Sequence, residues 1–519
     1  MRIDQVKIAN FRSYSSEVCV SLNDLTAFVG KNDVGKSTVL EALDVFFNEG
    51  KGIVKLDKDD INKRCASEGN QDIRISIVFN NIPSNIIIDD SNKTTLLDEY
   101  LLTSDQKLEL IKVYTNPGKE KVFVKAYHPT NPKCNELLHK KQNDLRKIIE
   151  DNSIDGSDRT KNASMRKAIW NHYIDDLSLQ EVEIDLTKED AKNIWTQLKN
   201  YLPLYSLFQS DRKNSDGDDE IQDPMKLAVQ EILRDGDILT ALNDVAMKVN
   251  NKLKEVADGT CEKLREMNPE IASTLKPVIP SSESLKWLDV FKNVSISGDE
   301  DIPLNKRGSG VKRLVLLNFF RAEADRRKNN RPVHDVIYAI EEPETSQHPN
   351  HQKKLIDALI ALSKANHTQI ILTTHSPSLV KMLDFEHLKL VQSKGGSKEI
   401  VNVEKHKLPY PSLNEINFIA FDESNEEYHN ELYGFIEHKS WMREYKEGKP
   451  LINYNRDHNG QTIPEQKILS EYIRHQIHHP ENKQNTKYDH LQLLQSIQDM
   501  RTFIESKKSN DNIPHRRSV

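Results

Sequence analysis

The stretch "FVGKNDVGKSTVL", residues 28–40, decides the fold of this chain. A glycine, four further residues and then Gly-Lys-Ser give the spacing of a phosphate-binding loop. The apolar run at 25–29 before it predicts a buried strand, and "STVLEALDVFF" after it predicts a helix. In this context, backbone N–H groups and the positive end of the helix can surround phosphate oxygens. The sequence therefore predicts that the chain binds a nucleoside triphosphate.

Four residues of this loop have expected roles. Gly30 and Gly35 let the backbone curl until its N–H groups point inward. Lys36 is expected to reach the β- and γ-phosphates, and Ser37 is expected to hold Mg²⁺. The predicted cofactors are therefore ATP and Mg²⁺.

Composition narrows the class of protein. The length of 519 residues predicts roughly three domains, and the net charge of −7 means that nucleic-acid binding would need a local basic patch. The 4 cysteines are far apart without a C-x-x-C pair, so neither a zinc ribbon nor a zinc hook is indicated. No stretch has the apolar length of a membrane span, and the start has no signal-peptide core. We expect a soluble, cytoplasmic protein without membrane contacts.

The pattern along the chain predicts an α/β fold with four parts. Short apolar runs around one helix indicate the first half of a nucleotide-binding head at 1–132, and strands return in a second half at 281–405. Between them, charged segments with helical periodicity predict a helical insertion at 133–280. The polar part at 406–519 is also predicted to be helical.

The second half of the head carries candidate catalytic residues. In "DVIYAIEEPETSQHP", an apolar strand ends in two carboxylates, of which Glu341 is expected to bind Mg²⁺ and Glu342 to orient the attacking water. In "QIILTTHSP", another apolar strand ends at His375, which can hydrogen-bond the γ-phosphate or the attacking water. The two apolar runs therefore predict strands that place Glu341, Glu342 and His375 at the edge of the nucleotide site.

A second glycine-rich segment, "LNKRGSGVKRLVLLNFF", begins a predicted helix whose N-terminus can bind an anion. It contains Ser309 and Gly310 and is too far along the chain to belong to the first loop. We expect it to complete the site of a second subunit. The alternative is a plain glycine turn into a core helix.

Together these segments resemble the head of an ABC-type ATPase of the SMC/RecF/OLD group. The resemblance rests on "IANFRSY", "GKNDVGKST", "RGSGVKR", "AIEEPETSQHP" and "LTTHSP", in that order, and covers about 1–130 and 280–405. It implies an ABC-type head, with a mixed sheet and flanking helices, that forms a head-to-tail dimer around two ATP molecules.

The resemblance also implies roles for individual residues. Glu341 and Glu342 match the Walker B acids, although the pair is usually Asp-Glu, and His375 matches the switch histidine. Ser309 and Gly310 match the signature that caps the γ-phosphate of the partner subunit. The remaining matches are Arg12 as a nucleotide contact, Asn32 and Thr38 in the phosphate loop, and Gln209 as a sensor of Mg²⁺.

The C-terminal part gives two interpretations. It holds nine of the 18 histidines, and Arg474 and His479 have a spacing that resembles HEPN-type ribonucleases, in which such a pair can act on the RNA 2′-hydroxyl without metal. The preferred interpretation is a packed or partner-docking helix. Since no proposed ATP residue follows His375, removal of residues after about 410 is expected to leave the ATP site intact.

These features indicate an ATP-gated sensor or scaffold. OLD nucleases append a Toprim domain, and this chain has no matching acidic turn after its last head strand, so metal-dependent nuclease chemistry is not expected here. Compact heads of this kind resemble the ATPase subunits of bacterial anti-phage systems, first the PtuA type of Septu and retron systems and then the AriA type of PARIS. Their partners, HNH or Toprim nucleases, do the cutting.

Two alternatives remain open. One is a self-contained, ATP-regulated ribonuclease that cuts tRNA through the C-terminal histidine and arginine. The other is a RecF-like repair ATPase that binds DNA at the cleft of its dimer.

Overall fold

The protein is described here from a computed structural model. It describes residues 1–49, 52–89, 92–115, 119–209, 229–267, 320, 335–345, 349–394, 397–403, 412–458 and 461–511.

The strands are β1 (Arg2–Ala9), β2 (Val18–Ser21), β3 (Leu25–Val29), β4 (Asp72–Asn80), β5 (Ile86–Asp89), β6 (Asn92–Thr94), β7 (Leu108–Thr115), β8 (Lys119–Pro129), β9 (Leu179–Asp185), β10 (Leu204–Phe208), β11 (Val336–Glu341), β12 (Thr368–Thr374), β13 (Leu388–Lys394), β14 (Ser397–Asn402), β15 (Leu451–His458) and β16 (Gln461–Ile468). The helices are α1 (Lys36–Asn48), α2 (Lys63–Ser67), α3 (Gln142–Asp151), α4 (Asn162–His172), α5 (Ala191–Lys199), α6 (Gly236–Met267), α7 (Pro349–Ser363), α8 (Pro377–Val380), α9 (Leu413–Phe421), α10 (Glu426–His438), α11 (Met442–Lys446), α12 (Leu469–His478) and α13 (His490–Asp511).

The first large sheet has six strands in the order β2-β1-β4-β7-β8-β9. Its pairs from β1 to β9 are antiparallel, with Ile8 opposite Ile75 and Ile77 opposite Leu110. Buried and more exposed residues alternate in β1, as expected when one face of an antiparallel sheet packs on a core and the other faces water.

The second large sheet has the order β10-β11-β12-β3-β13-β14. The pairs β3·β13 and β10·β11 are parallel, and β13·β14 is antiparallel. Every residue of β3 is buried, because a strand covered on both faces needs a continuous apolar run rather than an alternating one. The phosphate loop follows the carboxyl end of β3, the usual place for ligands in sheets with parallel strands.

The chain divides into two compact units. The first comprises Met1–Arg12, Ser21–Leu25 and Thr38–Leu372, and the second comprises Ser13–Val20, Thr26–Ser37 and Thr373–Val519. The first unit contains the antiparallel pairs from β1 to β9 together with β10 and β11. The second contains the phosphate loop, β13, β14 and the C-terminal helices.

The C-terminal helices enclose an apolar core of their own within the second unit. It is built from α10, α11, α12 and α13 and includes Tyr428, Leu432, Ile436, Ile497 and Ile504, each less than one-tenth exposed. Among the helices that the structure describes, none combines the length and apolar character required to cross a membrane.

The α/β class, the mixed sheet and the helical C-terminal region are confirmed. The predicted helical insertion at 133–280 contains α3, α4, α5 and α6, and it also contains two strands, since β9 pairs with β8 and β10 pairs with β11. The C-terminal region likewise holds a hairpin of β15 and β16 beside its helices. The four domain boundaries remain a prediction, and the two compact units are divided at other positions.

Candidate functional site

The phosphate loop is fixed at its first glycine by a close backbone approach. Gly30 has a φ of +152°, and a Cβ atom there would lie 2.4 Å from the carbonyl oxygen of Val391 in β13. The neighbouring strand is this close because Val29 of β3 pairs with Leu390. Only glycine has both the conformational freedom and the space for this position.

The second glycine of the loop is braced by the residues just before β2. The hydroxyl of Tyr14 donates to the carbonyl oxygen of Gly35 at 3.0 Å. Gly35 has a φ of +102°, and a Cβ atom there would lie 2.6 Å from Oγ of Ser13. Burial raises the pKa of the Tyr14 phenol, so the hydroxyl stays protonated and remains a donor. The motif "IANFRSY" contains this tyrosine, for which the sequence predicted no role.

The lysine of the loop is held inside it. Lys36 is 5% exposed, and its Nζ donates to the carbonyl oxygens of Gly30 at 2.8 Å and Lys31 at 2.7 Å. When a nucleotide binds, the Lys36 ammonium can donate to phosphate oxygens in place of these carbonyl oxygens. Ser37 is the second residue of α1, Thr38 after it is buried, and Asn32 is exposed on the loop. The predicted loop residues therefore follow one another along the chain from the end of β3 into α1.

The two acids stand at the tip of β11, as predicted. Glu341 is the last residue of the strand, and Glu342 follows it with a φ of +42°. A left-handed conformation is uncommon for a residue other than glycine and is typical of functional positions. A turn holds it, because the N–H and hydroxyl of Thr345 donate to the Glu342 carbonyl oxygen at 3.1 and 3.0 Å.

Gln209 lies beside these acids in the first unit. Strands β10 and β11 run parallel, with Phe208 opposite Ile340. Gln209 follows Phe208 and Glu341 follows Ile340, so these two residues are neighbours. Within the described part of the chain, the buried Oε1 of Gln209 has no hydrogen-bond partner. An amide oxygen and a carboxylate are oxygen ligands of the kind that Mg²⁺ prefers. The two residues therefore fit the metal role that the sequence predicted for them.

A buried tyrosine that sequence analysis missed connects β10 to α1. The hydroxyl of Tyr205 donates to the carbonyl oxygen of Leu40 at 2.6 Å. Burial first, and then the charges of Asp44, Glu41 and Glu341, raise its pKa well above the ordinary value. Tyr205 thus stays a neutral donor and fixes the helix that follows the phosphate loop.

His375 directly follows β12 and is half-buried in the second unit. Ser376 caps the short helix α8, and its N–H donates to Oγ1 of Thr374 at 3.0 Å. The histidine is thus held between the end of a fully buried strand and a capped helix. That is a defined position, as the switch role requires.

Arg12 contacts acids of the first unit. Its Nε donates to Asp60 at 2.7 Å and its Nη1 pairs with Glu41 of α1. With a φ of +47°, the residue is also held by its N–H, which donates to the Asp60 carbonyl oxygen at 2.7 Å. Its nucleotide contact remains a prediction. Ser309 and Gly310 lie outside the described residues.

The two C-terminal residues of the ribonuclease hypothesis contact different elements. Arg474 lies over the ring of Tyr433, 4.3 Å from its centroid, and donates to Glu437 at 3.3 Å, both on α10. His479 follows the end of α12, and its Nδ1 is 3.1 Å from Oε1 of Glu481. These contacts give each side chain a structural partner and do not bring the two into one site.

The C-terminal histidines do not supply the metal-type cluster that the structure contains. In the described part of the chain, one group of this kind is found, formed by Asp384, Glu386 and His387 just before β13. Both of its acids are exposed, and exposed acids commonly cluster without a metal ion.

Comparison with known families decides the class of protein. The family described as the AAA ATPase domain matches residues 1–380, well over half of the chain. The chain belongs to this family. The predicted ATPase is therefore confirmed, and so is the resemblance to the SMC/RecF/OLD group, since two curated relatives include a nuclease of the OLD type.

The relatives are distant, and this chain matches only part of each. Endonuclease GajA of Bacillus cereus (strain HuB5-5) is 21% identical over 448 residues, which cover 78% of this chain and 60% of that protein. OLD nuclease of Thermus scotoductus (strain ATCC 700910 / SA-01) is 24% identical over 156 residues, or 27% of this chain and 29% of the relative. The chain thus spans less than two thirds of each of these relatives.

Solved structures that resemble the chain include heads of SMC proteins. The SMC head domain from Thermotoga maritima is 14% identical, with a TM-score of 0.32, and the match covers 78% of this chain and 100% of that one. The Smc head domain of Pyrococcus furiosus, bound to the C-terminal domain of ScpA, is 12% identical, with a TM-score of 0.38 and coverages of 77% and 95%.

Proposed function

We propose that this ATPase is a sensor or scaffold subunit of a bacterial anti-phage system, and that it dimerises around ATP and controls a partner nuclease. The phosphate loop is the observation that carries the ATP part. Its glycines allow no side chain, and its lysine is held by two loop carbonyl oxygens. A loop shaped before the ligand arrives binds phosphates without a large ordering cost.

The chemistry proposed for the chain's own residues is the one that the sequence predicted for them. Lys36 binds the β- and γ-phosphates, while Ser37, Glu341 and Gln209 provide oxygen ligands. Bound Mg²⁺ would neutralise charge that develops on the phosphates. Glu342 accepts a proton from the attacking water and orients it.

His375 is the remaining catalytic residue of the proposal. It donates a hydrogen bond to the γ-phosphate, where negative charge grows as the bond to the leaving group lengthens. Donors that are already in place cost little reorganisation at that moment. The capped position of this histidine after β12 supports the role.

The dimer and the nuclease partner rest on similarity. Ser309 and Gly310 are assigned to the γ-phosphate of the partner subunit because "RGSGVKR" matches the signature of ABC-type heads. The relatives are called an endonuclease and a nuclease, and this chain spans 60% and 29% of their lengths. From the resemblance to the ATPase subunits of anti-phage systems, and not from these coverages, we infer that a separate HNH or Toprim nuclease does the cutting.

The dimer is tested by trapping it. Glu342→Gln removes the proton acceptor and keeps the shape, so the variant should bind ATP, fail to hydrolyse it and elute as a dimer or larger assembly in size-exclusion chromatography. Ser309→Arg places bulk where a γ-phosphate must dock and should prevent that shift when added to Glu342→Gln. Normal hydrolysis by Ser309→Arg would contradict the shared site.

The partner is tested through the neighbouring reading frame. We expect it to encode a nuclease that co-purifies with this chain and whose cutting of nucleic acid depends on ATP at the chain's site. A neighbouring cluster of replication or recombination genes, together with ATP-dependent DNA binding by the chain alone, would favour the RecF-like alternative instead.

A further inference from the structure

Three contacts join the start of the C-terminal region to the segments that carry Lys36 and His375. All of them start from residues 417–427, which comprise the end of α9, the turn after it and the first turn of α10. All lie within the second unit.

The first contact reaches the phosphate loop. Asp422 ends α9 in a left-handed conformation, with a φ of +57°, and its N–H donates to the carbonyl oxygen of Phe418 at 3.0 Å. From this fixed position its carboxylate pairs with Nζ of Lys31. The carbonyl oxygen of that same Lys31 accepts the hydrogen bond from Lys36. The residue that holds the phosphate lysine is therefore itself held by the end of α9.

The second contact reaches the segment behind His375. Asn417 is fully buried, and its Nδ2 donates to the carbonyl oxygen of Pro377 at 3.2 Å. Pro377 is the first residue of α8 and stands two residues after the histidine. Loss of a buried donor leaves the carbonyl oxygen without this partner, which favours movement of the short helix.

The third contact joins the other end of α8 to the first turn of α10. Nζ of Lys381 lies 2.5 Å from Oε2 of Glu427. The short helix is thus attached to the C-terminal region at both of its ends. A four-residue helix has little stability of its own, so these attachments determine its position.

A buried ion pair carries the connection into the C-terminal core. Arg501 of α13 donates to Glu415 of α9 at 3.2 Å and to the hydroxyl of Tyr428 of α10 at 2.5 Å. The Glu415 side chain is 0% exposed and that of Arg501 is 11% exposed. A displacement of α13 therefore moves α9, because breaking a buried pair leaves an uncompensated charge.

We propose that Asp422 and Asn417 are positioning residues through which the C-terminal helices control the ATP site. Asp422 acts on ATP affinity through Lys31, and Asn417 acts on turnover through the segment that carries His375. A partner bound to the C-terminal helices would then regulate both. This inference rests on the proposed binding of ATP at the phosphate loop.

The proposal conflicts with one expectation from the sequence. Removal of residues after about 410 was expected to leave the ATP site intact, because no proposed ATP residue follows His375. Such a truncation would remove Asp422, Asn417 and Glu427, the three partners that hold Lys31 and both ends of α8. The truncated chain should therefore lose ATP affinity or turnover.

A charge exchange tests the first contact in the full chain. Asp422→Lys should weaken ATP binding roughly two- to fivefold, as expected for an exposed ion pair, and leave kcat unchanged. Lys31→Asp should weaken it further, because two carboxylates then face each other. The double variant should bind ATP more tightly than Lys31→Asp alone, because the exchange restores the ion pair. Glu444→Lys reverses an acid that pairs with Lys507 in the C-terminal region and serves as the control.

An isosteric substitution tests the second contact. Asn417→Asp replaces the donor by an acceptor facing the Pro377 carbonyl oxygen, so kcat should fall about ten- to a hundredfold while the Kd for ATP stays within about twofold. Asn425→Asp is the matched control, since Asn425 caps α10 through Oδ1, a role that aspartate fills equally well. Thermal melting shows which variants fold. If Asn417→Asp does not fold, the charge exchange between Asp422 and Lys31 alone tests the positioning role.

The outcomes separate this inference from the function on which it rests. If the wild-type chain binds no ATP, the proposed function is wrong. If it binds ATP and the double charge variant binds no better than Lys31→Asp, while any folded Asn417→Asp keeps the wild-type kcat, the positioning role is wrong. Recovery in the double variant, or a fall in kcat at constant Kd, supports it.

Discussion

The phosphate loop at 30–37 and helix α12 each carry a short functional motif, but they differ in what surrounds it. In the loop, Lys36 contacts loop carbonyl oxygens, and the glycines are fixed by Val391 and Ser13. In α12, the guanidinium of Arg474 lies over the ring of Tyr433 and donates a hydrogen bond to Glu437, both on α10. The phosphate loop depends mainly on its own backbone conformation, so its residues are enough to shape the binding site. The contacts of two side chains five positions apart, such as Arg474 and His479, depend instead on which residues the tertiary structure packs against them.

The same difference sets how each region should respond to mutation. A change in the loop should weaken nucleotide binding, because its N–H groups and its lysine are the groups expected to hold the phosphates. Changes at Arg474 or His479 should leave ATP hydrolysis untouched, since each contacts a neighbour in the C-terminal region. The four predictions below run from the largest expected effect to the smallest.

The largest effect is expected at the loop lysine. Lys36→Ala should weaken ATP binding by about thirtyfold or more, because truncation of a desolvated, charged partner costs roughly 2–5 kcal/mol. Titration with ATP in the presence of Mg²⁺ measures this. Lys58→Ala, at an exposed lysine of the first unit, is the control. Unchanged affinity in Lys36→Ala would contradict the assignment of the loop.

The pH dependence of stability reports on the C-terminal core. Burial first, and then the charge of Arg474, lower the pKa of His429 to about 4 from 6.5. Between these values the unfolded chain binds a proton that the folded chain does not, so stability is lost as pH falls from about 6.5 to about 4. The loss from this residue is on the order of 3 kcal/mol.

Melting curves from pH 8 to pH 4 measure this dependence. His429→Gln cannot titrate, so its melting temperature should fall less steeply below pH 6.5 than that of the wild type. The other histidines contribute equally to both proteins. Parallel curves for the two would show that His429 is not the group responsible.

A side chain at Gly30 should weaken ATP binding less than the loss of the Lys36 side chain does. Gly30→Ala forces a Cβ atom against the Val391 carbonyl oxygen, so β3 and β13 must shift and ATP binding should weaken about tenfold, equivalent to roughly 1.4 kcal/mol. Gly448→Ala is the matched control, because Gly448 also has a positive φ, +72°, with nothing within 4 Å of the added atom. Unchanged ATP affinity in Gly30→Ala would contradict the close approach to β13 as the reason for this glycine.

No effect on RNA is expected at α12. The purified chain, incubated with total tRNA in EDTA and analysed on a denaturing gel, should not cleave it. Arg474→Ala and His479→Ala should bind ATP as the wild type does. Cleavage that disappears in both variants would restore the ribonuclease hypothesis and contradict the structural role given to these residues here.

The sequence by itself determined the nucleotide half of this protein. The strand at 25–29, the helix after the loop, and the strands that end at Glu341 and His375 were all predicted where they occur. Continuous apolar runs followed by Gly-Lys-Ser, paired acids or a histidine are local signals, because side-chain burial and loop geometry depend on neighbours in sequence. The residues Ser309 and Gly310 lie outside the described part of the chain, so their role stays a prediction.

Only the tertiary structure decided the remaining features. Strands β9 and β10 were missed inside a charged region, because each is short and gains its hydrogen bonds from a distant partner, β8 or β11. The hairpin of β15 and β16 was also missed, although Asn459-Gly460 between two strand-like runs is a hairpin signal.

The contacts of Tyr14, Tyr205, Asn417 and Asp422 have no signature in the sequence. Each joins residues that are between 21 and 391 positions apart, and each depends on which surfaces the fold brings together. A single sequence records the chemistry of a side chain but not its partner. The phosphate loop could therefore be read from its own residues, whereas its connection to the C-terminal helices required the three-dimensional structure.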